Sequence, residues 1–156
     1  YNKLNIHVGA HYNDKPMALA NFNRNFHRLS EAAKSRLTVE NDDKETMYSV
    51  ADLYEGVYKV IGIPIVFDYH HHRFCTGGLS EKDALELAVS TWGNIVPVVH
   101  YSESRNIEQK DDKIRPQAHS DYVYDFIDTY GNRVDIMIEA KAKERAVTKY
   151  KEVHNL

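Results

Sequence analysis

Five apolar runs in this chain each end on a side chain that binds divalent metals. They close at His7, at Glu40, at Asp68 with His71 three residues on, at His100 and at Glu139. Histidine nitrogen and carboxylate oxygen together suit Mn²⁺, Zn²⁺ or iron better than Mg²⁺ or Ca²⁺, which take mostly oxygen. Carboxylates aimed at one spot repel one another and hold protons more tightly unless a cation lies between them. A lone His or Glu at a strand end is ordinarily a solvated loop residue. Five runs out of five ending this way, about 30 to 40 residues apart, argue for a shared metal site. His119, in a later polar stretch, is placed to join from the rim. Lys141 stands two residues after Glu139, either as a phosphate contact or as an ordinary lysine at a helix start. Within His70-His71-His72, the Asp-x-x-His spacing directs Asp68 and His71 together and leaves His70 and His72 for substrate or solvent. His11 lies in a strand-end loop within reach of a ligand, whereas His27 and His154 read as structural or exposed.

The elements that must position these residues alternate along the chain. Residues 4–8, 36–40, 63–69, 95–101 and 134–138 read as strands. Helical periodicity predicts helices over about 15–34 and 46–61, the latter stopped by Gly62. Ser80-Glu81-Lys82-Asp83 reads as a capping box opening a helix that carries Leu85, Ala88, Val89 and Trp92 and stops at Gly93. Residues 102–117 read as a long charged loop, about 122–130 as a short helix, and about 142–154 as the last helix. Five βα units in succession imply a parallel sheet with right-handed crossovers. The sheet is either open and doubly wound or part of a (β/α) barrel. The first strand lacks a glycine-rich phosphate loop, which disfavours a dinucleotide site. In either fold the strand C-termini share one edge, and the six residues converge there.

The composition excludes several classes. Apolar content of 42% and charged content of 28% are those of a globular domain. No apolar run approaches the roughly 18 residues that a membrane helix needs. The net charge of −3 gives no bulk attraction to nucleic acid, although a carboxylate cluster changes local sign once it holds divalent ions. Cys75 is the only cysteine, which rules out an internal disulfide or a cysteine-based zinc site and fits a reducing, intracellular setting. Cys75 itself reads as a spectator. The chain opens on Tyr1 rather than Met, and a full eight-stranded barrel takes about 250 residues. The expectation is therefore a single partial TIM-barrel domain over residues 1–156, with N-terminal strands missing.

Four blocks then become familiar: Leu4-Asn5-Ile6-His7-Val8-Gly9, Val39-Glu40-Asn41-Asp42-Asp43, Gly62 to His71, and Ile138 to Glu144. In this order they resemble the UV damage endonucleases, a family similar to endonuclease IV and to xylose-isomerase-like barrels. The resemblance spans essentially the whole chain. It implies the C-terminal part of a TIM (β/α)8 barrel with up to three metal ions, commonly manganese, with Zn²⁺ or Mg²⁺ as alternatives. It implies incision of damaged double-stranded DNA on the 5′ side of photolesions. Carried over position by position, His7, Glu40, Asp68, His71, His100, His119 and Glu139 are metal ligands. Glu40, Glu139 and Lys141 take catalytic roles, and Asn41, His70 and Lys141 contact DNA. One departure concerns Pro97-Val98-Val99-His100: the family often has a lysine where this chain has Val98.

Rival readings remain: a metal-dependent sugar isomerase or epimerase, a nuclease restricted to abasic sites, or a non-catalytic half-barrel that only binds metal. The piece alone is expected to be inactive or weak, and its open sheet edges invite self-association.

Overall fold

The structure, a computed structural model, describes residues 3–156. The reading of Tyr1 as a mid-protein start lies outside the described residues. Five short strands form one parallel sheet: β1 (Leu4–Ile6), β2 (Leu37–Glu40), β3 (Ile65–Asp68), β4 (Val98–Tyr101) and β5 (Asp135–Ile138). Their spatial order is their chain order, β1-β2-β3-β4-β5. A doubly wound sheet reverses order at a switch point, and this one does not. The sheet is a half-barrel, with helices packed on its outer face.

Side-chain alternation decides which residues see the helices. Leu37, Val39, Ile65, Phe67, Val99 and Tyr101 belong to the buried core shared with the helices. The alternate set faces the inside of the curve, where Asn5 reaches Glu40 across the sheet. Asn5 and His7, Thr38 and Glu40, Val66 and Asp68, Val98 and His100, Met137 and Glu139 share that parity. Asp68 pairs with His100, whereas Glu40 pairs with Val66, so β3 runs two residues beyond β2 at this end of the sheet.

Helix α1 (Lys15–Phe26) starts where Asp14 accepts a hydrogen bond from the Met17 amide and Pro16 fills the first turn. The helix predicted to reach residue 34 breaks near His27. Ser30 adopts an extended backbone and caps a new turn, α2 (Glu31–Lys34). Ser49 and Asp52 form a reciprocal capping box at α3 (Val50–Leu53). That helix widens into a π turn at Tyr54–Tyr58 before α4 (Lys59–Ile61), so the expected single helix over 46–61 is interrupted. The Asn23 side-chain amide donates to Gly56 O at 2.7 Å. A Cβ at Gly56 would lie 2.6 Å from Leu19 Cδ1, so α1 packs directly on the bulge.

The histidine triplet forms a one-turn helix, α5 (Tyr69–His72), whose N-cap is Asp68. Helix α6 (Glu81–Val89) opens on Ser80 as the capping box predicts, and passes into a 3-10 turn at Ser90–Trp92. Trp92 Nε1 donates to Ile65 O at 2.7 Å, which ties that turn to the start of β3. The expected loop after β4 contains a short helix, α7 (Arg105–Gln109), and the chain closes with α8 (Glu144–His154).

The short helix expected over 122–130 is absent. The amides of Asp121 and Tyr122 donate to Glu108, and those of Tyr124 and Asp125 to Glu103. The Ile127 amide donates to the Tyr150 hydroxyl. Donors committed to side chains cannot build an i→i−4 ladder, so the apolar periodicity of this stretch serves an irregular strap instead. No helix among the described residues is long and apolar enough to cross a membrane.

Candidate metal centre

The C-terminal strand ends deliver the expected residues to one mouth. Glu40, at the end of β2, is almost wholly buried and sits at its middle. Its carboxylate lies 3.2 Å from His71 Nδ1, 3.2 Å from His100 Nδ1 and 3.9 Å from His7 Nε2. Glu139 lies 3.1 Å from His100 Nδ1 and 3.6 Å from His119 Nδ1. Asp68 lies 3.9 Å from His71 Nδ1, and its other oxygen accepts the His71 amide at 2.8 Å. The seven metal-type side chains named from sequence therefore form one connected cluster. His7, Glu40 and His71 offer three donor atoms within 4.8 Å of one another, and Glu40, Asp68 and His100 do the same. Glu40 is common to both groups.

The charge state of the cluster follows from burial and neighbours. Burial raises the Glu40 pKa, but hydrogen bonds from His100 and His71 outweigh it and hold the carboxyl well below its ordinary range. Burial likewise disfavours the imidazolium forms, yet Glu40 raises His71 to about 9, and Glu139 with Glu40 raises His100 to about 10. For Glu139, the bond to His100 prevails over burial and lowers the pKa. Asp68 goes the other way: burial raises it to about 7. Its second oxygen is buried without a hydrogen-bond partner. A buried carboxylate oxygen left unsatisfied beside two histidines and a second carboxylate is the donor set a divalent cation completes. His71 Nδ1 also lies 2.9 Å from Asn41 O. A proton on Nδ1, donated there, leaves the lone pair on Nε2 for a metal.

Two contributors were missed. Asp42 Oδ1 lies 3.0 Å from His7 Nδ1, and that contact raises the His7 pKa. Asn5 donates to Glu40. Both signals were present in the sequence: Asn5 stands two before His7 on the same strand face, and Asp42 two after Glu40.

Two residues expected to contact DNA are buried in this structure. Asn41 has no exposed surface, and its side-chain amide bridges the backbone of Asp68, accepting from N at 2.9 Å and donating to O at 3.0 Å. It joins β2 to β3 and has no surface to offer DNA. His70 is equally enclosed, packed edge-on against Phe74 and His119, and burial lowers its pKa to about 4. It is therefore uncharged at neutral pH and covered by its neighbours. Lys141 is exposed and lines an open cleft of about 420 Å³ with His119, Met137, Glu139 and Lys143. His72 is buried over Phe67, and His11 accepts the Asn13 amide away from the cluster. His154 lies 3.0 Å from Tyr124 O, far along α8. Cys75 is buried, and burial raises its thiol pKa to about 11, which leaves it inert at neutral pH.

A parallel half-barrel whose inner strand ends gather histidines and carboxylates defines an α/β-barrel protein with a candidate metal-binding mouth. The family model described as UV-endonuclease UvdE matches residues 1–156, and the chain belongs to that family. It is 39% identical over 151 residues to a UV-damage endonuclease of Schizosaccharomyces pombe, covering 92% of this chain and 24% of that protein. It is 36% identical to a UV DNA damage endonuclease of Bacillus cereus (strain Q1), covering 98% of this chain and 48% of the relative. A solved structure titled "Crystal Structure of SacUVDE" superposes with a TM-score of 0.81 at 34% identity, covering 98% of this chain and 51% of that one. The chain thus spans about half the length of the Bacillus relative and about a quarter of the yeast one.

Proposed function

We propose that this chain is the metal-binding part of a UV-damage DNA endonuclease, which hydrolyses the phosphodiester 5′ to photolesions in double-stranded DNA during repair. The observation that carries the reading is Glu40, one buried carboxylate shared by both metal-competent donor groups. His7, Glu40, Asp68, His71, His100, His119 and Glu139 would hold up to three divalent ions, Mn²⁺ being the one the family resemblance implies, with Zn²⁺ or Mg²⁺ as alternatives. When bound, such ions would supply a water of lowered pKa and stabilise negative charge developing on the phosphate.

The chain's own residues supply the rest. Glu40 and Glu139 bridge the histidines and fix their spacing. Lys141, exposed beside Glu139, places positive charge against a phosphate oxygen where charge develops. Damaged DNA is easier to bend and unstack than intact duplex, so lesion choice comes from deformability rather than base-edge reading. Val98 sits on β4 with an apolar side chain at the position where the family often has lysine, so that lysine's contribution is missing from this mouth. The single free cysteine and the DNA substrate fit an intracellular location. The outer edges of β1 and β5 are surfaces for self-association.

The experiment is incision of ultraviolet-irradiated supercoiled plasmid with added Mn²⁺. Weak nicking of irradiated DNA, absent with chelator and on unirradiated plasmid, is expected. Turnover of a ketose panel without nicking would favour an isomerase and sink the proposal.

A further inference from the structure

The strap between β4 and β5 carries His119, and its backbone is held by two carboxylates outside the metal mouth. Glu108, on α7, accepts from the Asp121 amide at 2.7 Å with one oxygen and from the Tyr122 amide at 2.9 Å with the other. Glu103 accepts from the Tyr124 and Asp125 amides at 2.7 and 2.8 Å through a single oxygen. The backbone adds to this grip. Arg105 N donates to Ala118 O at 2.7 Å, Ser120 N donates to Glu103 O at 2.9 Å, and Ser104 forms an antiparallel bridge with His119. On its other side the strap receives the turn after β5. Lys141 N donates to Ser120 O at 2.9 Å and Ala142 N to Asp121 O at 3.0 Å. Asp121 is therefore clamped at both ends of one residue, its amide by Glu108 and its carbonyl by the turn that carries Lys141.

We propose that Glu108, assisted by Glu103, is a positioning residue that sets His119 and Lys141 against Glu139 without touching the metal mouth. Carboxylate-to-amide bonds are charge-assisted and stronger than neutral ones. A carboxylate spanning two consecutive amides also fixes their relative orientation, which a single bond cannot. His119 is two residues before the first clamped amide, and Lys141 hydrogen-bonds the residue between them, so both side chains inherit that orientation. The inference rests on the reading of His119 and Glu139 as metal ligands.

The test compares Glu108→Ala and Glu108→Gln in the purified protein by amide hydrogen exchange over residues 118–125, the His119 imidazole resonances, and Mn²⁺ titration followed by electron paramagnetic resonance. In Glu108→Ala the amides of Asp121 and Tyr122 should exchange faster and the His119 ring signals should move. The weakest Mn²⁺ site should lose about 10- to 100-fold in affinity, the usual effect of removing an outer-shell partner, while the tightest keeps its affinity. Glu108→Gln, which keeps one carbonyl acceptor, should fall between and carries the test if the alanine variant does not fold. Released amides with unmoved His119 signals and an unchanged Mn²⁺ titration would make Glu108 a mere loop staple and overturn the proposal. Unchanged exchange would overturn it too. If the unsubstituted protein takes up no Mn²⁺, the metal reading fails, and the His119 signals alone decide the positioning role.

Discussion

Glu40 is 4% exposed and meets histidines from three other elements, His7 after β1, His71 on α5 and His100 on β4. Its hydrogen bond from Asn5 orients the carboxylate from behind. Replacing Asn5 with alanine should weaken Mn²⁺ binding by about 10- to 100-fold without unfolding the chain, as calorimetric titration would show. Asn41 predicts the opposite pattern. Asn41→Ala strands the Asp68 N–H and C=O in a buried site and should cost on the order of 2 to 4 kcal/mol in denaturant unfolding. A variant of unchanged stability with impaired DNA binding would restore Asn41 as a DNA contact. The protons on the cluster give a pH signature. His71 and His100 have folded pKa values of about 9 and about 10, above the ordinary 6.5. Their stabilisation of the metal-free chain is therefore fully present below 6.5 and lost as pH rises toward 10. Mn²⁺ competes with the same protons, so its binding at neutral pH should release protons and tighten as pH rises. Titrations in buffers of different ionisation enthalpy would read the release, and none released would contradict the protonated pair. At this scale, which residues gather at the mouth was legible, because each apolar run stops on its last polar residue. The burial of Asn41 and His70 was not, because it depends on side chains from other strands and loops.

The elements succeed where local chemistry agrees with packing. Ser80, Gly62 and the apolar 63–69 run all mark boundaries that the structure keeps within a few residues. They fail where a distant group takes over a backbone donor, as Glu103 and Glu108 do in the strap that reads as a helix. The break between α1 and α2 has a local cause, the Ser30 cap, which continuous apolar periodicity from Phe22 to Ala33 conceals. Gly77, in the loop after α5, shows how closely such elements interlock. Its φ is +58°, and a Cβ there would lie 2.3 Å from Ser49 Oγ, the cap of α3. Gly77→Ala should strain the loop and disturb that cap at once, costing on the order of 2 kcal/mol or more in chemical unfolding. A neutral result would show that the loop moves aside freely.

As a whole molecule, the half-barrel presents a metal-type mouth at one end, and among the described residues the outer edges of β1 and β5 pair with no further strand. Leu4 and Met137 on those strands are 56% and 54% exposed. The molecular mass measured by light scattering should therefore rise with protein concentration, and a strict monomer at every concentration would count against association through these edges. The βα order was readable from alternating periodicity. The choice of barrel over open sheet was not readable from periodicity, because strand order is a tertiary property, and it came from the family resemblance instead. One carboxylate, Glu40, serves both donor groups. The most direct test is Mn²⁺ titration of the purified chain and its Glu40→Gln variant, followed by electron paramagnetic resonance. At least two ions should bind the unsubstituted chain, and both should weaken together in Glu40→Gln. Absence of binding, or a Glu40→Gln titration that matches the unsubstituted one, would contradict the account.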